Sequence, residues 1–350
     1  MHLRFFHIVS ALLVLLVGCK DKPEGEVEDN FDKEVMLTNM ADNLIVPAYD
    51  EWKNNIEELK LLTTDFKSAP SESSLIEVQT TFIEAYKSWN RCSVYEFGPA
   101  ADKGLRLKVN IFPADTTQIE ANVASESIEF GTPQNAEAIG FAAIDYLLFS
   151  KETSLLTDSK RQEHLLAQID WVETLAAEVS TEWTNYQDDF IANTNSSAGS
   201  PLSNLVNEIN YEFELFKNAR IGIPLGKKTL GITQAHKLEA VYSNRSEDLA
   251  LENIIGIRTA FTGGLGQGLD DYLDDLKATK DGQDLSKLIM DLFVQIESEL
   301  QATDLDEAIK NEPSSLDPMY NHIEQLVVLL KVDMPSQLGV QITYQDNDGD

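Results

Sequence analysis

Apolar residues recur along most of the chain at intervals of three and four. Val78, Phe82, Tyr86 and Trp89 fall on one stripe, as do Leu165, Ile169, Val172, Leu175, Ala176 and Val179. The series Leu285, Leu288, Ile289, Leu292, Ile296 and Leu300 repeats the spacing, and His322, Leu326, Leu329 and Leu330 belong to a last long helix. Residues spaced this way share one face of an α-helix, which buries the stripe and leaves the other positions to water. No stretch alternates in the manner of a strand, apart from the tail Gln341-Ile342-Thr343-Tyr344. Punctuation agrees: no Pro occurs from Gln134 to Ser200 and no Gly from Gln283 to Leu338. Long breaker-free stretches between marked joints predict an all-α chain. Ser71 offers an N-cap to the second helix, and Asp304 to Glu307 an acid-rich first turn to a later one.

Two segments interrupt the pattern. Gly98 to Pro133 reads as an irregular crossing with one short helix, Thr116 to Ala124, and Gly222 to Gly231 as a loop around Pro224 and Gly226. Loops of this size are commonly functional. The sharpest shift in composition, Asn193 to Pro201, divides the body into helical-bundle halves at 33–195 and 196–350. Ahead of them, residues 1–18 read as a signal peptide: His2 and Arg4, then a mostly apolar run from Phe5 to Val17, too short to span a bilayer comfortably. The run ends Leu16-Val17-Gly18-Cys19, which resembles the lipobox of bacterial lipoproteins, with Cys19 the lipidated residue. A plain secretory signal with an incidental Cys is the other reading. Residues 19–32, rich in Glu, Asp and Lys, read as a flexible acidic tether.

Charge narrows the class of partner. Among 350 residues, 27 Lys and Arg face 59 Asp and Glu, a formal net charge of −32. Hydrophobic content of 43% suffices for a core, so the excess acid does not mean disorder. A field of this sign repels phosphate backbones and disfavours nucleic acid, while cations or a basic partner remain compatible. Only two Cys occur, too few for a disulfide scaffold or a Cys-rich zinc module. Cys92 lies on an apolar helix pattern and reads as a buried, inert thiol. Neither the HExxH zinc-protease pattern nor the Gly-x-Ser-x-Gly elbow of serine hydrolases occurs. The run Gly263 to Gly268 has no preceding strand and no following Gly-Lys-Ser/Thr, so it reads as a turn between helices rather than a phosphate cradle.

An ordered set of short segments carries a resemblance. It comprises Trp89-Asn90-Arg91, Tyr95, Phe97-Gly98-Pro99, Phe112-Pro113-Ala114-Asp115, Gln118-Ile119-Glu120, and Gly140-Phe141-Ala142-Ala143-Ile144-Asp145 with Tyr146 to Phe149. Glu239, Tyr242-Ser243, Ser246-Glu247-Asp248, Asn253 and Leu338-Gly339-Val340 complete it, with Asp346 to Asp350 at the end. In this order the chain resembles the imelysin-like proteins, the peptidase M75 family. The resemblance implies an all-α fold of two helical-bundle halves related by duplication. It implies a lipid-anchored protein of the bacterial cell envelope, in the outer membrane, and a link to iron or haem acquisition or to metallopeptidase activity. The family's hallmark is Gly-x-His-x-x-Glu on a helix, where residues three apart let an imidazole and a carboxylate share one metal ion. This chain has Ala142 in place of the His and Asp145 in place of the Glu, so the hallmark metal pair is absent.

What chemistry remains is sparse. Asp145 sits in an apolar run and needs a partner if buried, with Arg91, a Lys or a bound cation as candidates. The family-matching segments nominate a cleft of Arg91, Asp145, Glu239, Ser243 and Ser246: Arg91 and Asp145 to orient or neutralise, Glu239 to ligate or accept, the serines to hydrogen-bond. Weak metal candidates are Asp145, His236 and Glu239, the last two on one face if their stretch is helical, although His236 reads rather as an exposed loop residue. His164 and His322 read as helix surface. Asp270, Asp271, Asp274 and Asp275 read as a solvated acidic face, and Asp346 to Asp350 as a solvated tail that only begins like a calcium loop. No cofactor is established by the residues, with a divalent metal or iron as what the resemblance leaves open. Three readings follow: a non-peptidase binding or accessory lipoprotein in iron or haem acquisition, a metallopeptidase with a rearranged site, and a helical surface lipoprotein that contacts another protein.

Overall fold

The computed structural model describes residues 31–125 and 128–343. The signal peptide and lipobox Cys19, the tether up to Asn30, and the tail from Tyr344 with its Asp346–Asp350 run lie outside the described residues. Residues from Phe31 onward group as one unit.

Helix α1 (Lys33–Asn39) begins where the Asp32 side chain accepts a hydrogen bond from the Val35 N–H. It runs through a π-helical turn, Met40–Ile45, into α2 (Val46–Ser68). Helix α3 (Glu72–Cys92) opens on the expected cap: Ser71 and Ser74 exchange side-chain and backbone hydrogen bonds, satisfying donors that the helix cannot. The crossing that follows is more helical than its Gly and Pro content predicts. It holds α4 (Pro99–Lys103), α5 (Leu105–Val109) and α6 (Thr116–Ser125), because Gly104 takes φ 59° and restarts the helix after one turn. Then come α7 (Phe141–Phe149), α8 (Glu152–Thr157) and the long α9 (Ser159–Ala192).

The joint at 193–200 precedes α10 (Pro201–Leu215), capped by Ser200 and extended by a π-helical turn, Phe216–Gly222. Helices α11 (Ser246–Thr262) and α12 (Leu269–Asp275) flank the Gly-rich turn, whose Gly263 and Gln267 carbonyls both accept from Asn39 Nδ2. A short hairpin, β1 (Thr279–Lys280) with antiparallel β2 (Gln283–Asp284), leads to α13 (Leu285–Gln301). Asp304 caps α14 (Leu305–Asn311), and α15 (Asp317–Val328) passes through a π-helical turn, Leu329–Asp333, to α16 (Met334–Leu338). The described part of the tail, Gln341–Thr343, pairs not with a strand but with one side chain. Asn207 Nδ2 donates to the Gln341 carbonyl, and Asn207 Oδ1 accepts from the Thr343 N–H.

The stripes read from the sequence are the core. Helices α2, α3 and α9 pack together with α7 against them, while α10, α11, α13 and α15 pack together, and α3 meets α11 between the two sets. Val78, Phe82, Tyr86 and Trp89 are buried, and the Tyr86 ring stacks on Phe141 with centroids 4.4 Å apart. Cys92 is fully buried, and burial pushes its thiol well above the ordinary value, as an inert thiol requires.

One surface expectation is overturned, and a second holds except at Asp270. His164 is buried rather than exposed: its Nε2 lies 3.2 Å from Gln168 Nε2, and burial pushes the imidazole down to about 4. The acidic face on α12 is exposed as expected at Asp271, Asp274 and Asp275, with Asp271 also accepting from the Gly268 N–H and Asp274 from the Ser286 hydroxyl. Asp270 is half-buried, and burial, with Asp271 beside it, pushes its carboxyl up to about 7. Among the described residues no helix is long and apolar enough to cross a membrane.

Candidate functional site

Helix α7 starts from Gly140 at φ 75°, a left-handed conformation that a side chain disfavours. A Cβ there would also lie 2.2 Å from the Val109 carbonyl oxygen, so α5 passes too close for any residue but glycine. The Gly140 N–H donates to Gln168 Oε1 on α9, which fixes where α7 begins. Ala142 and Asp145 then fall one turn apart, both buried.

Asp145 has a partner, but not one of those the sequence nominated. Its Oδ2 accepts from the Tyr242 N–H at 3.0 Å and its Oδ1 from the Ser243 N–H at 3.2 Å. The loop can present two successive N–H groups because Ala240 and Asn244 on either side adopt positive φ. Burial pushes the Asp145 carboxyl up to about 6, against the pull of these donors. Arg91 is elsewhere: it pairs with Glu51 at 2.6 Å and Glu252 at 2.9 Å and lines a separate cleft that α2 and α11 flank. Arg91 is therefore not Asp145's counter-ion, because two nearer carboxylates compete for its guanidinium.

Glu239, on the loop that Asp145 holds, is buried, with hydrogen bonds to one carboxylate oxygen and an ion pair beside the other. Its Oε1 accepts from Asn110 Nδ2 at 2.8 Å and, more weakly, from Asn90 Nδ2. Its Oε2 lies 2.8 Å from Arg220 Nε, an ion pair by distance in which the N–H does not point at the oxygen. The Ser246 hydroxyl, also buried, donates to the Glu239 carbonyl or to Asp306 Oδ2, so it too serves the loop. His236 is exposed on the short turn Ala235–Lys237, and the chain is extended at Leu238. No common helix face joins His236 to Glu239. The structure thus gathers Asp145, Glu239, Ser243 and Ser246 around one loop, and separates Arg91 and His236 from it.

Beside this loop lies a buried charge network that the sequence reading missed. Arg220 Nη2 donates to Asn90 Oδ1, and Nη1 lies 3.4 Å from Glu212 Oε1. Glu212 Oε1 accepts from Ser93 Oγ and Asn253 Nδ2, and its Oε2 from Arg106 Nη2 at 2.9 Å. Arg106 also reaches Glu208, and its own N–H donates to Glu96. Burial would raise the Glu212 carboxyl, but Arg106 and Arg220 hold it below its ordinary value. Burial pushes Glu96 and Glu208 up to about 7 despite Arg106. A cleft of about 180 Å³ opens over the network, with Trp89, Arg106, Phe112, Tyr211, Glu212 and Arg220 in its walls. One signal was available: Glu208 and Glu212 stand four apart on the amphipathic α10, with Arg220 eight further on.

The raised carboxyls set a pH dependence. Glu96, Glu208 and Asp145 hold their protons more tightly folded than unfolded, where carboxyls titrate near 4. Their contribution to stability is full below about pH 4 and is lost as pH rises toward about 7. Glu120 has the opposite sign: although burial would raise it, Arg161, Tyr146 and Lys151 hold it down to about 2, and stability is lost as pH falls from about 4.5 to 2. We expect the urea midpoint to fall between pH 5 and 7.5, and Glu96→Gln and Glu208→Gln each to flatten that fall by about 1–3 kcal/mol. A midpoint that rises over this range contradicts the assignment.

A family metal does not fit these residues. Ala142 has no donor atom, both Asp145 oxygens hold backbone, and Glu239 is held by Arg220 and Asn110. Among the described residues no three His, Cys, Asp or Glu side chains are placed to hold a metal ion. The model of the peptidase M75 family, Imelysin, matches residues 45–329. The chain belongs to the imelysin family. Its fold is shared with an imelysin-like protein from Psychrobacter arcticum 273-4, at TM-score 0.74 and 16% identity, covering 89% of this chain and 97% of that one. It is shared also with a protein of Parabacteroides distasonis ATCC 8503 provisionally named iron-regulated protein A precursor, at TM-score 0.73 and 15% identity, covering 87% and 94%. No curated protein matches the chain in sequence. In this imelysin chain the carboxylate of α7 is a clamp on the 239–246 loop, and that loop carries Glu239 into the charge network.

Proposed function

We propose that this imelysin-family protein is a binding or accessory component of a bacterial cell envelope, held to the outer membrane by lipid on Cys19, that serves iron or haem acquisition without peptidase chemistry. The observation that carries this reading is the spent state of the hallmark helix: Ala142 offers no ligand and Asp145 is committed to the Tyr242 and Ser243 N–H groups. A water made nucleophilic by a metal needs an open coordination position on protein ligands that are themselves free to bind. The cleft over Arg106, Glu212 and Arg220 supports binding instead, with aromatic walls and fixed charges. The link to iron rests on family membership and on the name given to the Parabacteroides relative, which is an argument by association.

The test pairs a strain with the purified protein. Deletion is expected to slow growth under iron limitation, and the protein to bind haem or iron with no metal-dependent cleavage of protein substrates. Normal growth of the deletion strain together with no haem or iron binding overturns the reading. Metal-dependent proteolysis that is lost in Asp145→Ala replaces it with the peptidase.

A further inference from the structure

Besides the cleft over the charge network, a second one of about 180 Å³ lies where α2, α3 and α11 meet. Tyr95 lines it and is only 2% exposed. Its backbone is fixed by the Tyr49 hydroxyl, which donates to the Tyr95 carbonyl. The Tyr95 hydroxyl itself meets no hydrogen-bond partner among the described residues. Burial, with Cys92 beside it, pushes this phenol above its ordinary value, and no hydrogen bond relieves the shift. A buried hydroxyl without a partner is costly, and folded proteins leave few of them. On the α11 wall the Thr259 hydroxyl is likewise unpartnered among the described residues, while its methyl group is turned toward Gly264. Ser88, in the α3 wall, donates to the Ala85 carbonyl and keeps its lone pairs. Gly256 lets the two helices approach so closely that a Cβ there would lie 2.6 Å from the Arg91 carbonyl oxygen. That approach brings Arg91 and Thr259 to the same cleft.

We propose that this cleft binds a neutral polyol of monosaccharide size, whose hydroxyls meet those of Ser88, Tyr95 and Thr259 and the Arg91–Glu51 pair, and whose C–H face lies on Leu44, Pro47 and Ile255. Charge selects the neutral ligand. Arg91 already spans Glu51 and Glu252, so no cation is spare to draw an anion. A guanidinium and a carboxylate that neutralise each other still hydrogen-bond neutral hydroxyls, through N–H groups and lone pairs the ion pair does not use. Donor and acceptor character selects the polyol. Each sugar hydroxyl both donates and accepts, as do the three protein hydroxyls, whereas an anion only accepts and an ammonium only donates. Size selects a single ring, since the cleft is smaller than the about 300–1,000 Å³ of pockets for drug-sized ligands. The inference does not depend on the iron reading above, which concerns the other cleft.

The test is saturation-transfer NMR on the purified full chain with D-glucose, D-galactose, D-mannose and L-arabinose. At least one is expected to receive saturation and to give a saturable titration. Tyr95→Phe is expected to weaken that binding about three- to tenfold, the loss of one neutral hydrogen bond. It should leave the urea midpoint unchanged, because no protein group uses the hydroxyl, so lost binding is not lost folding. The near-isosteric Thr259→Val is expected to weaken binding to a similar degree. Glucuronate and glucosamine, which place a negative and a positive charge on the same kind of ring, are expected to bind more weakly than the best neutral sugar. The methyl glycoside of that sugar reads the source: equal binding points to the end of a glycan and exclusion to a free sugar, and both support the polyol. Absence of transfer to all four neutral sugars overturns the proposal. So does binding indifferent to both Tyr95→Phe and Thr259→Val, or tighter binding of either charged ring.

Discussion

Arg220→Met is expected to lower the free energy of unfolding by about 3–5 kcal/mol. The guanidinium is buried between Glu212 and Glu239, and it also donates to Asn90. Removing it leaves two carboxylates in a medium that solvates neither well. Arg106 still serves Glu212, so the larger share of the loss falls on Glu239. The double variant Arg220→Met with Glu239→Gln is therefore expected to recover a good part of the loss, because the amide is neutral and can still engage Asn110. Urea unfolding monitored by circular dichroism measures both. A single-variant loss below about 1 kcal/mol, the range of exposed pairs, would mean that water reaches the network.

Gly140→Ala is expected to cost about 2–5 kcal/mol, through two separable effects. The left-handed backbone accounts for about 1–2 kcal/mol, and the collision of the new Cβ with the Val109 carbonyl for about 1–3 kcal/mol more. Gly104→Ala sets a lower reference, because Gly104 has φ 59° and ψ 47°, a milder positive-φ conformation than φ 75° and ψ −155° at Gly140, and nothing lies within 4 Å of its Cβ. It should show a backbone cost without a collision. Equal losses at the two positions would remove the close approach of α5 as the reason for the glycine.

These two sites differ in how far they could be read from the sequence. Periodicity located the long helices, since burial of a stripe is a local property of spacing, and Val78 to Trp89 needed nothing else. Ser71 and Asp304 likewise announce their caps within three residues. The one-turn helices α4 and α5 escaped because Gly104 looks like a breaker when its φ is unknown. The candidate loop was legible in part: Asp145, Glu239, Ser243 and Ser246 do come together. Their roles were not, because Asp145's partners are backbone N–H groups that leave no mark in residue identity. Arg91 was misplaced for the related reason that a charge selects among all carboxylates within reach, and Glu51 and Glu252 are distant in sequence. The Arg106–Glu212–Arg220 network left only the spacing of Glu208, Glu212 and Arg220 in the sequence, because Arg106 reaches it from α5, on the far side of the joint.

The same network dictates an order of assembly. Asn90, Ser93, Arg106 and Asn110 are made early, yet the groups they bond, Glu212, Arg220, Glu239 and Asn253, all lie beyond the joint at 193–200. Asn39 waits longer still, for carbonyls 224 and 228 residues downstream. A chain delivered N-terminus first keeps these polar groups in water until its second part arrives, since burying them alone would be costly. The first helices are thus synthesised first but locked last. A ribosome-stalled or exported fragment ending near residue 195 would remain open along the face that α3 later offers to α11, and so available to chaperones and proteases until α10 and α11 close it.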